Sequence, residues 1–275
     1  MTLEIPSTTT LVLDLLAAKA DRKISAQDLC RAGSIMGYGE APMRVALTRL
    51  AQRGKILKLG RATYSLDSQK TRLQLDVENW RERSSWTEPW DGNWIAAHDG
   101  AISGQHKTKF RQHQRALTLR GFRKWKPGLH LRPNNWNGGA AALRKELAEL
   151  GVAAGTQLFV ATEFDSKQTA EILRLWNIPG LRRDYAKMIA QLEASKLRLK
   201  KLDPASAARE ALLVGRGLIG HMLRDPLLPT EMVQGIEFHE LAKLIADYQD
   251  LSRKIWDQVL SDVNKRPKVA VTQSR

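Results

Sequence analysis

The stretch "MRVALTRLAQRGKILKLGRATY", Met43 to Tyr64, decides the fold of the N-terminal region. It holds six Lys or Arg residues and no Asp or Glu. Met43, Ala46, Leu47 and Leu50 recur at helical spacing, so they share one face and must meet a core. Pro42 stands where a first helical turn accepts proline and Gly54 where a helix stops, which predicts a helix from about Ala41 to Arg53. Its outward face then carries Ala41, Arg44, Val45, Thr48, Arg49 and Gln52, a mixture of small groups and donors suited to base edges and phosphates in a major groove. Beyond Gly54, "KILKL" and "ATYSL" read as two short strands joined at Gly60-Arg61, a basic hairpin bearing Lys58 and Arg61. A carboxylate on such a surface would be repelled by phosphate, so the single sign of charge fits a face that lies along DNA. The plainer alternative is a small helical domain with a solvated basic face.

Working upstream, "TTTLVLDLLAAKA" gives an amphipathic helix with threonines available to cap it. "ISAQDL" opens a second, with Ser25 at the N-cap, Asp28 three residues on, and Ile24 and Leu29 in the positions of a hydrophobic staple. Three helices and a basic hairpin make residues 1–68 a winged helix-turn-helix in expectation, with Arg44, Thr48, Arg49, Gln52, Lys58 and Arg61 as candidate DNA contacts.

Downstream, residues 69–89 read as a linker helix, "KTRLQLDVENWRERSS", running into the boundary "SSWTEPWDGNW". Strand and helix patterns alternate from residue 90 to 170: "WIAAHDGA", "KTKFRQHQRALTLRGF", "GLHLRP", "GGAAALRKELAELG" and "TQLFVATEF". This predicts a ferredoxin-like α/β sandwich. Residues 171–275 read as helical, ending on a helix whose Leu241, Leu244, Ile245, Tyr248, Ile255 and Val259 form an apolar stripe suited to a subunit interface. The expected class is therefore α+β.

The 275 residues carry 44 Lys or Arg against 29 Asp or Glu, a net charge of +15, which points to a polyanionic partner. The single Cys30 excludes an intramolecular disulfide and fits a reducing cytoplasm. No stretch approaches the ~20 apolar residues of a membrane span, and the N-terminus lacks a signal-peptide layout. A second acid-free stretch runs from residue 100 to 145. Within it "RGFRKWK" gathers Arg120, Arg123, Lys124 and Lys126 around Trp125, which suits a phosphate-rich ligand with an aromatic base or else a solvated surface. Asp99 could serve a metal-dependent nuclease, but two-metal chemistry needs several converging carboxylates and the stretch after it has none. His221 and His239 have no partner at ligand spacing, so no metal, cofactor or enzymatic activity is expected.

The segments "MRVALTRLAQRGKILKLGRATYSL", "PWDGNW", "GFRKWKPGLHLRP", "LWNIPGLRRDYAKMI" and "DPLLP", in this order, resemble the PaaX family of bacterial transcriptional repressors. The resemblance implies a dimeric repressor with a winged helix and a middle domain similar to the CRISPR adaptation nuclease subunit but without nuclease function. It also implies a helical C-terminal domain for effector and dimer contacts, and control of an aromatic-compound operon through phenylacetyl-coenzyme A. The chain departs from the family pattern after "DPLLP", where it reads "MVQGIEFHE", and in "VGRGLIGHML". The expected effector is accordingly an acyl-coenzyme A or another aromatic metabolite, and the expected partners are operator DNA and a second copy of the chain, with no membrane.

Overall fold

The computed structural model describes residues 4–19, 21–60, 62–67, 71–99, 107–233 and 238–261. Helix α1 (Thr8–Ala18) starts at Ser7, whose hydroxyl accepts the Thr10 N–H at 3.3 Å, so serine supplies the cap expected of the threonines. A short strand β1 (Lys23–Ser25) leads into α2 (Ala26–Ile35), where the Ser25 hydroxyl takes the Asp28 N–H at 3.0 Å. Ile24 and Leu29 of the staple are both buried. Helix α3 (Glu40–Gln52) buries Met43, Ala46, Leu47 and Leu50, the face its spacing dictates. A Cβ on Gly33 would collide with the Met43 side chain, so α2 and α3 come together only because position 33 has none. Strands β2 (Ile56–Leu59) and β3 (Thr63–Leu66) form the hairpin. The sheet runs β1-β3-β2, antiparallel throughout, with Tyr64 between Ile24 and Lys58.

After α4 (Arg72–Glu78) and a 3-10 turn (Trp80–Ser85), β4 (Trp94–His98), α5 (Lys107–Leu119), β5 (Arg123–Lys126), β6 (Leu129–Pro133), α6 (Gly139–Leu150) and β7 (Gln157–Ala161) build a second sheet. Its order is β5-β6-β4-β7, again antiparallel. β4 is apolar on both faces because both are covered. Ile95 and Ala97 pack with Leu117, Leu143 and Leu147 of α5 and α6. Trp94 and Ala96 pack with Leu131, Ile172 and Trp176 on the other side. The chain is thus α+β with two antiparallel sheets.

The short helix α7 (Ser166–Leu173) and three long ones follow: α8 (Ile178–Leu199), α9 (Pro204–Arg224) and, after the single turn α10 (Thr230–Val233), α11 (Phe238–Ser261). Two compact units result. The first joins Met1–Ser68 with Leu192–Gly217 and Asp247–Arg275, the second Gln69–Gln191 with Leu218–Ala246. The helical stretch 171–275, expected as a domain of its own, is therefore divided between them. In the first unit Ala208, Leu212, Trp256 and Val259 lie in the same core as Leu11, Leu16, Leu29 and Leu50. The stripe on α11 is spent on this chain's own interior, since Leu241, Ile245 and Tyr248 are fully enclosed and Val259 nearly so. Those four positions are closed to a second subunit while Leu244 and Ile255 stay partly exposed; an amphipathic stripe looks the same in sequence whether its cover is internal or external. No described helix is long and apolar enough to cross a membrane.

Candidate functional site

With one face of α3 fixed in the core, Arg44, Val45, Thr48, Arg49 and Gln52 are all exposed on the other. Val45, at 53% exposure, adds an apolar contact of the sort a thymine methyl meets. Thr48 bonds its hydroxyl back to the Arg44 carbonyl at 3.1 Å, leaving its lone pairs outward. The Arg44 guanidinium is held by Glu40, one turn earlier, with Nε at 2.7 Å from Oε1. Glu40 is thus the one acid on a face that is otherwise cationic or neutral from α3 to β2, where Lys58 is also exposed. Arg61 lies outside the described residues.

The second acid-free stretch divides differently. Arg120 and Arg132 are completely enclosed and belong to a stack of guanidinium groups and indole rings. Arg120 bonds Asp76 at 2.8 Å and Glu146 at 2.7 Å, and Arg72 reaches the same two acids, each at 3.1 Å. Trp86 is faced by Arg83 at 5.2 Å and Arg120 at 5.7 Å, and Trp136 by Arg120 at 5.5 Å and Arg132 at 4.7 Å. Burial pushes Arg132 down to about 9 and Arg83 down to about 10. The acids that compensate this array come from α4 and the end of α6, outside the acid-free window. Arg120 is therefore committed to the interior and out of a ligand's reach.

Nor do the remaining residues of "RGFRKWK" converge. They alternate along β5, with Arg123 and Trp125 half-buried and Lys124 and Lys126 exposed. Lys126 pairs with Glu171 at 2.7 Å and sits 5.1 Å from the Trp125 ring, whose edge meets Phe164. Arg123 alone of the five lines a cleft of about 380 Å³.

That cleft draws together three of the segments quoted above. Trp176, Tyr185 and Met188 form its walls, His221 and Arg224 line it from α9, and Asp225 and Pro226 close it. Trp176 is fixed by stacking on Trp94, with centroids 5.7 Å apart, and by donating its N–H to the Gly121 carbonyl at 3.2 Å. Gly121 has φ +78, and a Cβ there would strike the Pro226 carbonyl, so both conformation and space require glycine. The Asp225 carboxyl accepts the Tyr185 hydroxyl at 2.5 Å and the Leu227 N–H at 2.8 Å. Burial nevertheless pushes it up from the ordinary acid range. Arg123 is pushed down by burial, and it donates a hydrogen bond to the Phe122 carbonyl at 3.1 Å. No residue pairs its charge within ion-pair distance among those described. Periodicity gave no sign of the cleft, since its walls come from segments about fifty residues apart; the resemblance segments were the available signal.

Asp99, at the end of β4, accepts the His113 Nε2–H at 2.9 Å, and His130 Nδ1 lies 3.1 Å from the same oxygen. His113 Nδ1 in turn accepts the Ala153 N–H at 3.1 Å, which fixes the proton on Nε2. A metal ion on Nε2 would force a proton onto Nδ1 against that N–H. Burial holds His130 below the ordinary imidazole range. No group of three or more His, Cys, Asp or Glu side chains is placed to hold a metal ion among the described residues.

No protein-family model matches the chain, and no curated protein matches it. A solved structure similar to it is that of the uncharacterized protein Rv0674 from Mycobacterium tuberculosis, at 21% identity and a TM-score of 0.63, covering 93% of this chain and 99% of that one. The likeness is one of fold.

Proposed function

We propose that the chain is a sequence-specific, dimeric DNA-binding repressor of the PaaX type, without enzymatic activity, acting in the cytoplasm and released from its operator by an acyl-coenzyme A or related aromatic metabolite. The observation that carries this reading is the exposed face of α3, where Arg44, Val45, Thr48, Arg49 and Gln52 stand clear of the core and run on to a basic hairpin. The order α1-β1-α2-α3-β2-β3 with sheet β1-β3-β2 supports reading this part as a winged helix-turn-helix. The pattern βαββαβ with sheet order β5-β6-β4-β7 supports a ferredoxin-like middle domain. One short reading helix covers little DNA, and two copies on a pseudo-palindrome would supply the affinity a specific site needs.

The nuclease alternative gains nothing from Asp99, which is buried beside His113 and His130 with no group of side chains placed to hold a metal ion among the described residues. The test is selection of bound fragments from the genomic DNA of the organism that encodes the chain, followed by footprinting. A two-fold related protected site upstream of a catabolic operon is the expected result. Fragments enriched without a common sequence would refute the reading.

A further inference from the structure

We infer that the cleft around Arg123 binds a small, apolar monocarboxylic acid as the free anion, with the carboxylate on Arg123 and Arg224 and the apolar body against Trp176, Leu175, Leu181 and Met188. The inference rests on the ligand-released reading for its consequence but not for its chemistry.

Three observations set the ligand class. The half-buried Arg123 guanidinium lines the cleft with no contact ion pair among the described residues, its burial only partly offset by the more distant Asp225, and a bound anion would supply the missing contact. The number of negative charges is limited by the cleft's own acids. Asp184 also lines it and Asp225 closes it, so a second negative charge would be met by carboxylates rather than cations. Asp225 attracts Arg123 at longer range, but the two make no ion pair within contact distance, and the Asp225 oxygens are engaged by the Tyr185 hydroxyl and the Leu227 N–H. The volume, about 380 Å³, falls near the lower end of the ~300–1,000 Å³ typical of small-molecule sites. A coenzyme A ester would have to leave its pantetheine arm, pyrophosphate and adenosine outside. The apolar part of the lining includes Trp176, which is pinned by both its ring face and its N–H.

Helix α9 carries His221 and Arg224 in the cleft, and its earlier residues Ala208 and Leu212 in the core that holds α1 and α3. Helix α8 supplies Tyr185 and Met188 to the cleft. A ligand that displaces either helix can bias the population that binds DNA.

The experiment is calorimetric titration of the full chain, without DNA, using benzoate and 4-phenylbutyrate as acids, benzamide as the uncharged match and coenzyme A as the polyanion. At least one acid should bind saturably with a dissociation constant below about 1 mM, and benzamide at least tenfold more weakly. Arg123→Gln and the more exposed Arg224→Gln should each weaken the acid about tenfold, and a wild-type-like circular dichroism spectrum for Arg224→Gln guards against a folding artefact. Failure of both acids to bind, equal binding of benzamide, unaffected Arg variants, or tighter competitive binding by coenzyme A would each overturn the inference. If the acids bind as described but leave operator affinity unchanged, the cleft assignment stands and its part in release from DNA falls.

Discussion

Glu40 and Arg44 are locked together one helical turn apart at the start of the proposed reading helix. An exposed pair of this sort stabilises the fold little, so its effect should show in DNA binding. Glu40→Gln frees Arg44 and removes the nearest repulsion to phosphate, and should tighten binding to any duplex several-fold at low salt, read by fluorescence anisotropy. In the second unit Asp76 is 2% exposed and holds both Arg72 and Arg120. Asp76→Ala leaves an enclosed guanidinium half-compensated and should cost roughly 3–5 kcal/mol in urea unfolding. Asp14 gives a pH-dependent case. Burial raises it to about 6, against the opposing charge of Arg216 at 2.9 Å. A carboxyl whose folded value is raised favours the protonated fold, so its contribution to stability falls as pH rises from about 4 to about 6. Asp14→Asn should therefore be more stable than wild type by about 1–2 kcal/mol at pH 7, with the difference vanishing below pH ~4.

Elements with a strong local signal were legible, and those held by distant partners were not. The bounds of α3, the Ser25 cap and the Ile24–Leu29 staple follow from spacing and capping chemistry within one or two turns. Strand β1 is three residues long and exists because β3 pairs with it, from some forty residues away. Strand β5, "RKWK", has too few residues to show alternation and reads as a basic cluster. The partition of the acid-free stretch was hidden for the same reason, since nothing near Arg120 announces that Asp76 and Glu146 will enclose it. Gly33 shows how much an element contact can depend on one absent methyl. Gly33→Ala should force α2 from α3 around Met43 and destabilise the fold by roughly 1–3 kcal/mol.

For the molecule as a whole, the N-terminal segment is not closed by its own residues. Ala208, Leu212, Trp256 and Val259 complete the core beneath α1 and α3, so a fragment ending at Ser68 should melt far below the full chain or lack a cooperative transition in calorimetry. A net charge of +15 favours non-specific association with polyanions, so DNA binding alone would decide nothing. What decides is discrimination, read as operator and random-duplex affinities across a salt series for wild type, Arg49→Ala and Lys58→Ala. The account predicts that wild type prefers its operator by about a thousandfold or more, that Arg49→Ala loses most of that preference, and that Lys58→Ala weakens both duplexes while lowering the salt slope by about one. Equal affinity of wild type for both duplexes, or two variants that bind as wild type does, would contradict it.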